Sequence, residues 1–144
     1  MSLDPLDELL YRYRLATQHL SRSERLYSLG DWAGAVQFAQ LAIENFAKAL
    51  IALYEIPTWS HDPSSQLLRL MERFPEELRS MVSEIAEAAR EVASEHGRST
   101  YGEPSMRLTP AEIYTKQDAQ RILNLARRIH RIVLMVFEQL NVHV

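Results

Sequence analysis

The sequence predicts an all-α protein, an up-and-down four-helix bundle with one extra short helix. Apolar residues recur every three or four positions in four long segments, as they do on one face of a helix. The prolines fall between these segments or at their starts, and most of the glycines fall between them. No segment alternates apolar and polar residues as a half-buried strand does. Because 144 residues suffice for one domain with a proper core, we expect a single domain over residues 1–144.

The first two helices are expected to form a hairpin. Asp4 suits the N-cap of the first helix, and Pro5 suits its first helical position. Gly30 ends this helix, and Asp31 caps the next one after a very short connection, which indicates antiparallel packing. The second helix covers residues 31–54 and is apolar around most of its circumference. Such a helix belongs at the centre of a fold.

The polar residues of this second helix form one narrow row. Gln37, Gln40, Glu44 and Lys48 follow a 3-4-4 spacing, which places them on one side of the helix. We call these four residues the polar stripe. The simplest interpretation of Glu44 and Lys48 is an ion pair within the helix. The alternative is that the stripe faces a groove or a second subunit.

The second half of the chain predicts three further helices and one long loop. A loop at 57–63, with prolines at both ends, leads to a short third helix. The fourth helix begins at Pro75 and ends at Gly97. Residues 97–114 are expected to be irregular, and a loop of this length in a compact domain is often functional. The last helix covers about 115–140.

Composition argues against several kinds of function. The sequence has no cysteine, so it forms neither disulfides nor thiolate metal sites. Its five histidines lack metal-ligand spacing, and no glycine-rich phosphate loop is present, so we expect neither a metal nor a cofactor. The net charge of −3 argues against a general nucleic-acid coat. No apolar run approaches the about 20 residues of a membrane span, and the acidic start lacks a signal peptide's basic region. We therefore expect a cytoplasmic protein without membrane contact.

Two motifs in the first half of the chain resemble those of a known family. In the second helix, QFAQLAIENFAKALIALYEIP is similar to an alanine-rich helix that ends in a KAL run. The match includes Glu44 and the run that starts at Lys48. The segment WSHDPSSQLLRLM is similar to a short helix led by a histidine, and His61 takes the place of that histidine.

A third motif precedes the last helix. The segment RSTYGEP resembles a loop that contains an arginine and a tyrosine, here Arg98 and Tyr101, with Ser99 and Thr100 between them. In many relatives the two residues are adjacent. In this order and spacing, the three motifs resemble the HEPN family, the higher eukaryotes and prokaryotes nucleotide-binding domain.

The resemblance implies a helical domain that forms a homodimer and binds a nucleotide or RNA. Many such proteins accompany a separate minimal nucleotidyltransferase in toxin–antitoxin-like systems. Some relatives are metal-independent endoribonucleases that use an arginine and a later histidine, with four to six residues between them, at the dimer interface. The matched positions make the following residues candidates for ligand binding: Glu44, Lys48, His61, Arg98 and Tyr101.

The ribonuclease motif matches more than one pair of residues. Arg12 and Arg14 both have the allowed spacing to His19, and Arg90 has it to His96. A motif this short arises by chance in a chain with 14 arginines. Arg90 and His96 are the catalytic candidates because they lie beside the long loop; His96 would act as acid or base and Arg90 would hold the phosphate. Alternatively, His96 only interacts with the dipole at a helix end.

The binding candidates also have structural interpretations. His61 either lies in a pocket beside Trp59 or ties the loop to a helix end. Arg98 and Tyr101 either bind a phosphate and a base edge, or Arg98 pairs with Glu103 while Tyr101 fills the end of the bundle. The residues favour a binding role over an enzymatic one and leave catalysis open. We therefore expect a nucleotide- or RNA-binding accessory protein; the alternatives are an endoribonuclease toxin and a non-catalytic dimerisation module.

Overall fold

The computed structural model describes residues 4–144, and these residues form a helical bundle. Its long helices are α1 (Pro5–Ser28), α2 (Trp32–Ile51), α4 (Arg79–Val92) and α7 (Lys116–Gln139). Its short helices are α3 (Ser64–Arg69), α5 (Glu95–Tyr101) and α6 (Pro110–Ile113). The predicted all-α bundle is confirmed. The expected domain boundary at residue 1 and the first part of the acidic start lie outside the described residues.

Capping residues fix the ends of the α1–α2 hairpin as expected. The Asp4 carboxylate accepts a hydrogen bond from the backbone N–H of Leu6 at 2.9 Å, and Asp31 accepts one from Gly34 at 2.8 Å. Between the helices, Gly30 adopts a φ of 79°, a left-handed conformation that favours glycine. The turn is therefore short enough for α1 and α2 to pack along their length.

Helix α2 is the centre of the bundle. It contacts each of the other six α-helices of residues 4–144, and 14 of its 20 residues are buried. Phe46, Leu50 and Ile51 are among the large side chains that are fully enclosed. A helix buried on most sides has few positions where a polar side chain reaches solvent. Any polar group on α2 must therefore find its partners inside the protein.

The prediction that residues 97–114 are irregular is wrong in part. Helix α4 ends at Val92, and α5 then continues through Gly97 to Tyr101. Gly97 does not stop the helix; the chain instead reverses at Gly102, whose φ is 73°. A β-carbon at Gly102 would lie 2.0 Å from a backbone oxygen, so the close approach requires glycine.

Helix α6 forms because its N-terminus is capped. Thr109 and Glu112 make a reciprocal capping box, in which each side chain accepts a hydrogen bond from the backbone N–H of the other residue. The same arrangement of Thr115 and Asp118 opens α7. Among residues 4–144, none of the helices is both long and apolar enough to cross a membrane.

Candidate functional site

The polar stripe of α2 is buried within a single chain. Lys48 Nζ lies 3.0 Å from Glu44 Oε2, and the two side chains are only 4% and 6% exposed. The predicted ion pair within the helix is therefore confirmed. It differs from an ordinary surface pair, because both charges are removed from water. Gln40 is also fully buried, whereas Gln37 is half-buried.

The second oxygen of Glu44 connects α2 to the loop before α3. Glu44 Oε1 accepts a hydrogen bond from Gln40 Nε2 at 3.1 Å and lies 3.0 Å from His61 Nδ1. Both oxygens of the buried carboxylate thus have partners. Of the two interpretations of His61, the pocket beside Trp59 finds no support, because the Trp59 side chain is 92% exposed. His61 instead ties its loop to the middle of α2.

His96 reaches the same place from the first turn of α5. Its Nδ1 lies 3.2 Å from Gln40 Oε1, and its ring stacks on that of His61 with the centroids 3.6 Å apart. Glu44, His61 and His96 therefore form one group, which we call the His–Glu cluster. Each of its members has a potential metal-ligand atom within 4.8 Å of those of the other two. The expected position of His96 at the end of the fourth helix was wrong, since α4 stops earlier.

The environment of His96 favours its neutral form. Burial lowers the pKa of His96, and the neighbouring His61 lowers it further, while the Glu44 carboxylate raises it. Burial disfavours the charged imidazolium because it removes the ring from water. An imidazole with a lowered pKa is available at neutral pH as a base or as a ligand.

Arg90, the other half of the predicted catalytic pair, lies in the last turn of α4. Its Nε donates a hydrogen bond to Ser64 Oγ at 3.2 Å. Ser64 is the first residue of α3, three positions after His61. Arg90 and His96 therefore both contact the segment of residues 61–64, although they come from different helices. The ion pairs formed within residues 4–144 do not include Arg90.

Arg98 and Tyr101 belong to a different environment. Arg98 Nε donates to Glu103 at 2.9 Å, and its Nη1 donates to Glu95 at 3.4 Å. The hydrogen bond with Glu103 raises the pKa of Arg98, so the predicted ion pair is confirmed. Tyr101 is 74% exposed, which shows that it does not fill the end of the bundle. Tyr114, in contrast, is buried and donates a hydrogen bond from its hydroxyl group to Glu95.

Two residues of the site, and its potential to bind a metal, are not predicted from the sequence. Gln40 was seen only as part of the stripe, and Ser64 was not singled out. The expectation of no metal site was based on spacing along single helices, and it stays a prediction. Spacing along one helix says nothing about a cluster assembled from α2, α5 and a loop. A usable signal was that buried polar residues on a central helix require polar partners from elsewhere.

Comparison with known proteins agrees with this fold. The HEPN domain family matches residues 10–136. The chain belongs to the HEPN domain family. The fold is also similar to the crystal structure of TT1696 from Thermus thermophilus, with a TM-score of 0.70 and 26% sequence identity. That similarity covers 89% of this chain and 97% of the other. Among curated proteins, none matches the sequence significantly.

Proposed function

We propose that this HEPN protein binds a nucleotide or RNA through its phosphates at the surface formed by His61, Arg90 and His96. It does so as the accessory partner of a separate minimal nucleotidyltransferase in a toxin–antitoxin-like system. The observation that carries the proposal is that Arg90 and His96 both contact the segment of residues 61–64, which contains His61.

The guanidinium of Arg90 is well suited to a phosphate. It uses Nε to hold Ser64, and this contact leaves its two terminal nitrogens for an oxyanion. Arg98, in contrast, is bound by two glutamates. Because Arg90 is an exposed residue, a phosphate reaches it without any opening of the bundle. This contrast makes Arg90 a better phosphate ligand than Arg98.

The loop that carries His61 also offers a surface for a base. Trp59 is 92% exposed, and Ile56 is 79% exposed. Exposed aromatic rings next to cationic side chains are typical of sites that stack nucleic-acid bases. We therefore propose that the base stacks on Trp59 while the phosphate contacts Arg90.

Calorimetry with ATP, GTP and a short single-stranded RNA tests this proposal, in a buffer that contains EDTA. Hydrogen bonds to charged groups contribute about 1.5–3 kcal/mol, so Arg90→Gln should weaken binding by about tenfold or more. Arg25→Gln is the matched control, since Arg25 is exposed on α1 and belongs to none of the candidate arginine–histidine pairs. The proposal is wrong if the wild-type protein binds none of these ligands, or if the two variants bind equally well.

The accessory role and the homodimer have tests of their own. A small nucleotidyltransferase encoded beside this chain, and its co-elution with this protein, would support the role; a protein that fails to associate with that enzyme contradicts it. Light scattering at micromolar concentration tests the homodimer. We expect the mass of two chains, and a purely monomeric mass would contradict the proposal. Both the pairing and the homodimer are proposed for the cytoplasm.

One observation favours endoribonuclease activity as a second candidate. Burial lowers the pKa of His96, which favours the neutral form that a general base requires, and Arg90 contacts the same segment of the chain. This candidate predicts RNA cleavage in EDTA that His96→Ala and Arg90→Ala abolish. If an active wild type keeps its RNA cleavage or growth inhibition in both variants, this candidate fails.

A further inference from the structure

The His–Glu cluster has the ligand set of a metal site. Its three side chains come from α2, from the loop before α3 and from α5, yet their ligand atoms all lie within 4.8 Å of one another. We infer that Glu44, His61 and His96 bind a transition-metal ion, with Zn²⁺ the best suited. This inference is independent of the proposed nucleotide binding, because the metal alone is the ligand.

The donor atoms select the class of ion. Two imidazoles and one carboxylate are the protein ligands of zinc sites that keep a fourth position open. Imidazole nitrogens suit Zn²⁺, Co²⁺ and Ni²⁺, whereas Mg²⁺ and Ca²⁺ prefer an all-oxygen set. His61 Nδ1 lies 3.0 Å from Glu44 Oε1. Two ligands at about 2.1 Å from a tetrahedral zinc are about 3.4 Å apart, so this pair needs little adjustment.

The partly exposed His61 adjoins the buried carboxylate, so an ion would approach Glu44 from the side of His61. The Glu44 side chain is 6% exposed, and that of His61 is 53% exposed. His61 lies on a loop, so its ring can turn out of the stack with His96 while α2 and α5 stay in place. The site therefore combines two ligands on helices, Glu44 and His96, with a third ligand on a loop, His61, whose ring can reorient.

Neighbouring side chains orient the ligands. Gln40 Oε1, 3.2 Å from His96 Nδ1, accepts the proton of that nitrogen and leaves Nε2 with its lone pair for a metal. Lys48 binds Glu44 Oε2 and so directs Oε1 toward the histidines. The charge of Lys48 opposes that of the ion, and we therefore expect micromolar affinity rather than the tighter binding of a structural zinc site.

Metal titration of the untagged, metal-stripped protein tests the inference. Zn²⁺ affinity is measured by competition with a chromophoric chelator, and Co²⁺ is followed by its visible d–d absorption. We expect one ion per chain and the intense bands of four-coordinate Co²⁺. His61→Gln and His96→Gln should each weaken binding at least tenfold. His143→Gln is the control, because His143 is exposed near the C-terminus and outside the cluster.

Two results overturn the inference: a wild-type protein without stoichiometric binding, and a His61→Gln variant that binds as tightly as the wild type. His61 is an exposed residue, so its variant is expected to fold, which circular dichroism checks. If His96→Gln is unfolded, His61→Gln decides alone. The nucleotide titrations contain EDTA, so failure of metal binding and failure of nucleotide binding are observed separately.

Discussion

The buried charge pair on α2 gives the sharpest prediction, for the substitution Glu44→Gln. The amide keeps the size of the side chain and still offers an oxygen to Lys48, but it removes the negative charge. Lys48 Nζ has its hydrogen bond with Glu44, 3.0 Å away, and its side chain is 4% exposed. The ammonium group would then be buried without an opposite charge.

The expected cost follows from that burial. Removing one partner of a buried ion pair destabilises a protein by about 3–5 kcal/mol, because the remaining charge is uncompensated. The total stability of a domain is about 5–15 kcal/mol, so the loss is a large part of it. With a urea dependence of about 2 kcal/mol per molar, the unfolding midpoint should fall by about 1.5–2.5 M.

Urea unfolding at pH 7 in EDTA measures this effect. The matched control is Glu84→Gln, which breaks a pair with Arg128 whose side chains are 39% and 57% exposed; it should cost less than about 1 kcal/mol. In the double variant Glu44→Gln/Lys48→Met, the isolated charge is gone, and most of the stability should return. A Glu44→Gln variant as stable as Glu84→Gln would show that Lys48 does not depend on the Glu44 charge.

Two further predictions concern acid stability and the chain reversal. Burial lowers the pKa of His19 and His130 below the ordinary 6.5, so the unfolded chain binds protons more readily. The two histidines should therefore not affect the pH dependence of stability above pH 6.5, but they should destabilise the fold as the pH drops toward their lower folded pKa values. The melting temperature should decline less between pH 7 and 5 in a His19→Gln/His130→Gln variant than in the wild type. An equal decline in the two proteins contradicts this prediction. Gly102→Ala should cost about 2–4 kcal/mol in urea unfolding, because of its positive φ and its close backbone contact. Gly97 is at a helical position with open space around it, so Gly97→Ala should instead stabilise the protein by about 0.5–1 kcal/mol. Equal effects of the two substitutions would contradict a chain reversal at Gly102.

Most of the fold was predictable because its determinants are local. The caps at Asp4 and Asp31, the stop at Gly30 and the apolar periodicity of the long helices depend on residues within a few positions of one another. The one clear failure, at residues 97–114, concerns which of two glycines ends the helix. A glycine is compatible with both a helix and a turn, so the sequence did not show whether the chain reverses at Gly97 or at Gly102.

The candidate site was predictable only in its parts. His61, Glu44 and Lys48 were singled out by resemblance, and Arg90 and His96 by a permissive spacing. Their grouping was not visible, because a rotation of α5 by a fraction of a turn would move His96 away from α2. Arg98 and Tyr101 looked equally suitable in the sequence, but the glutamates around Arg98 and the exposure of Tyr101 set them apart.

Local sequence patterns and the resemblance to a family predict an all-α HEPN bundle organised around a central helix with a row of polar residues. The partners of that row depend on how the helices pack. The row is buried, and a buried carboxylate requires partners wherever the chain can supply them. The loop before α3 supplies His61 to Glu44, and α5 supplies His96 through Gln40. The meeting of residues so far apart in sequence depends on the packing of three elements, and no local pattern encodes it.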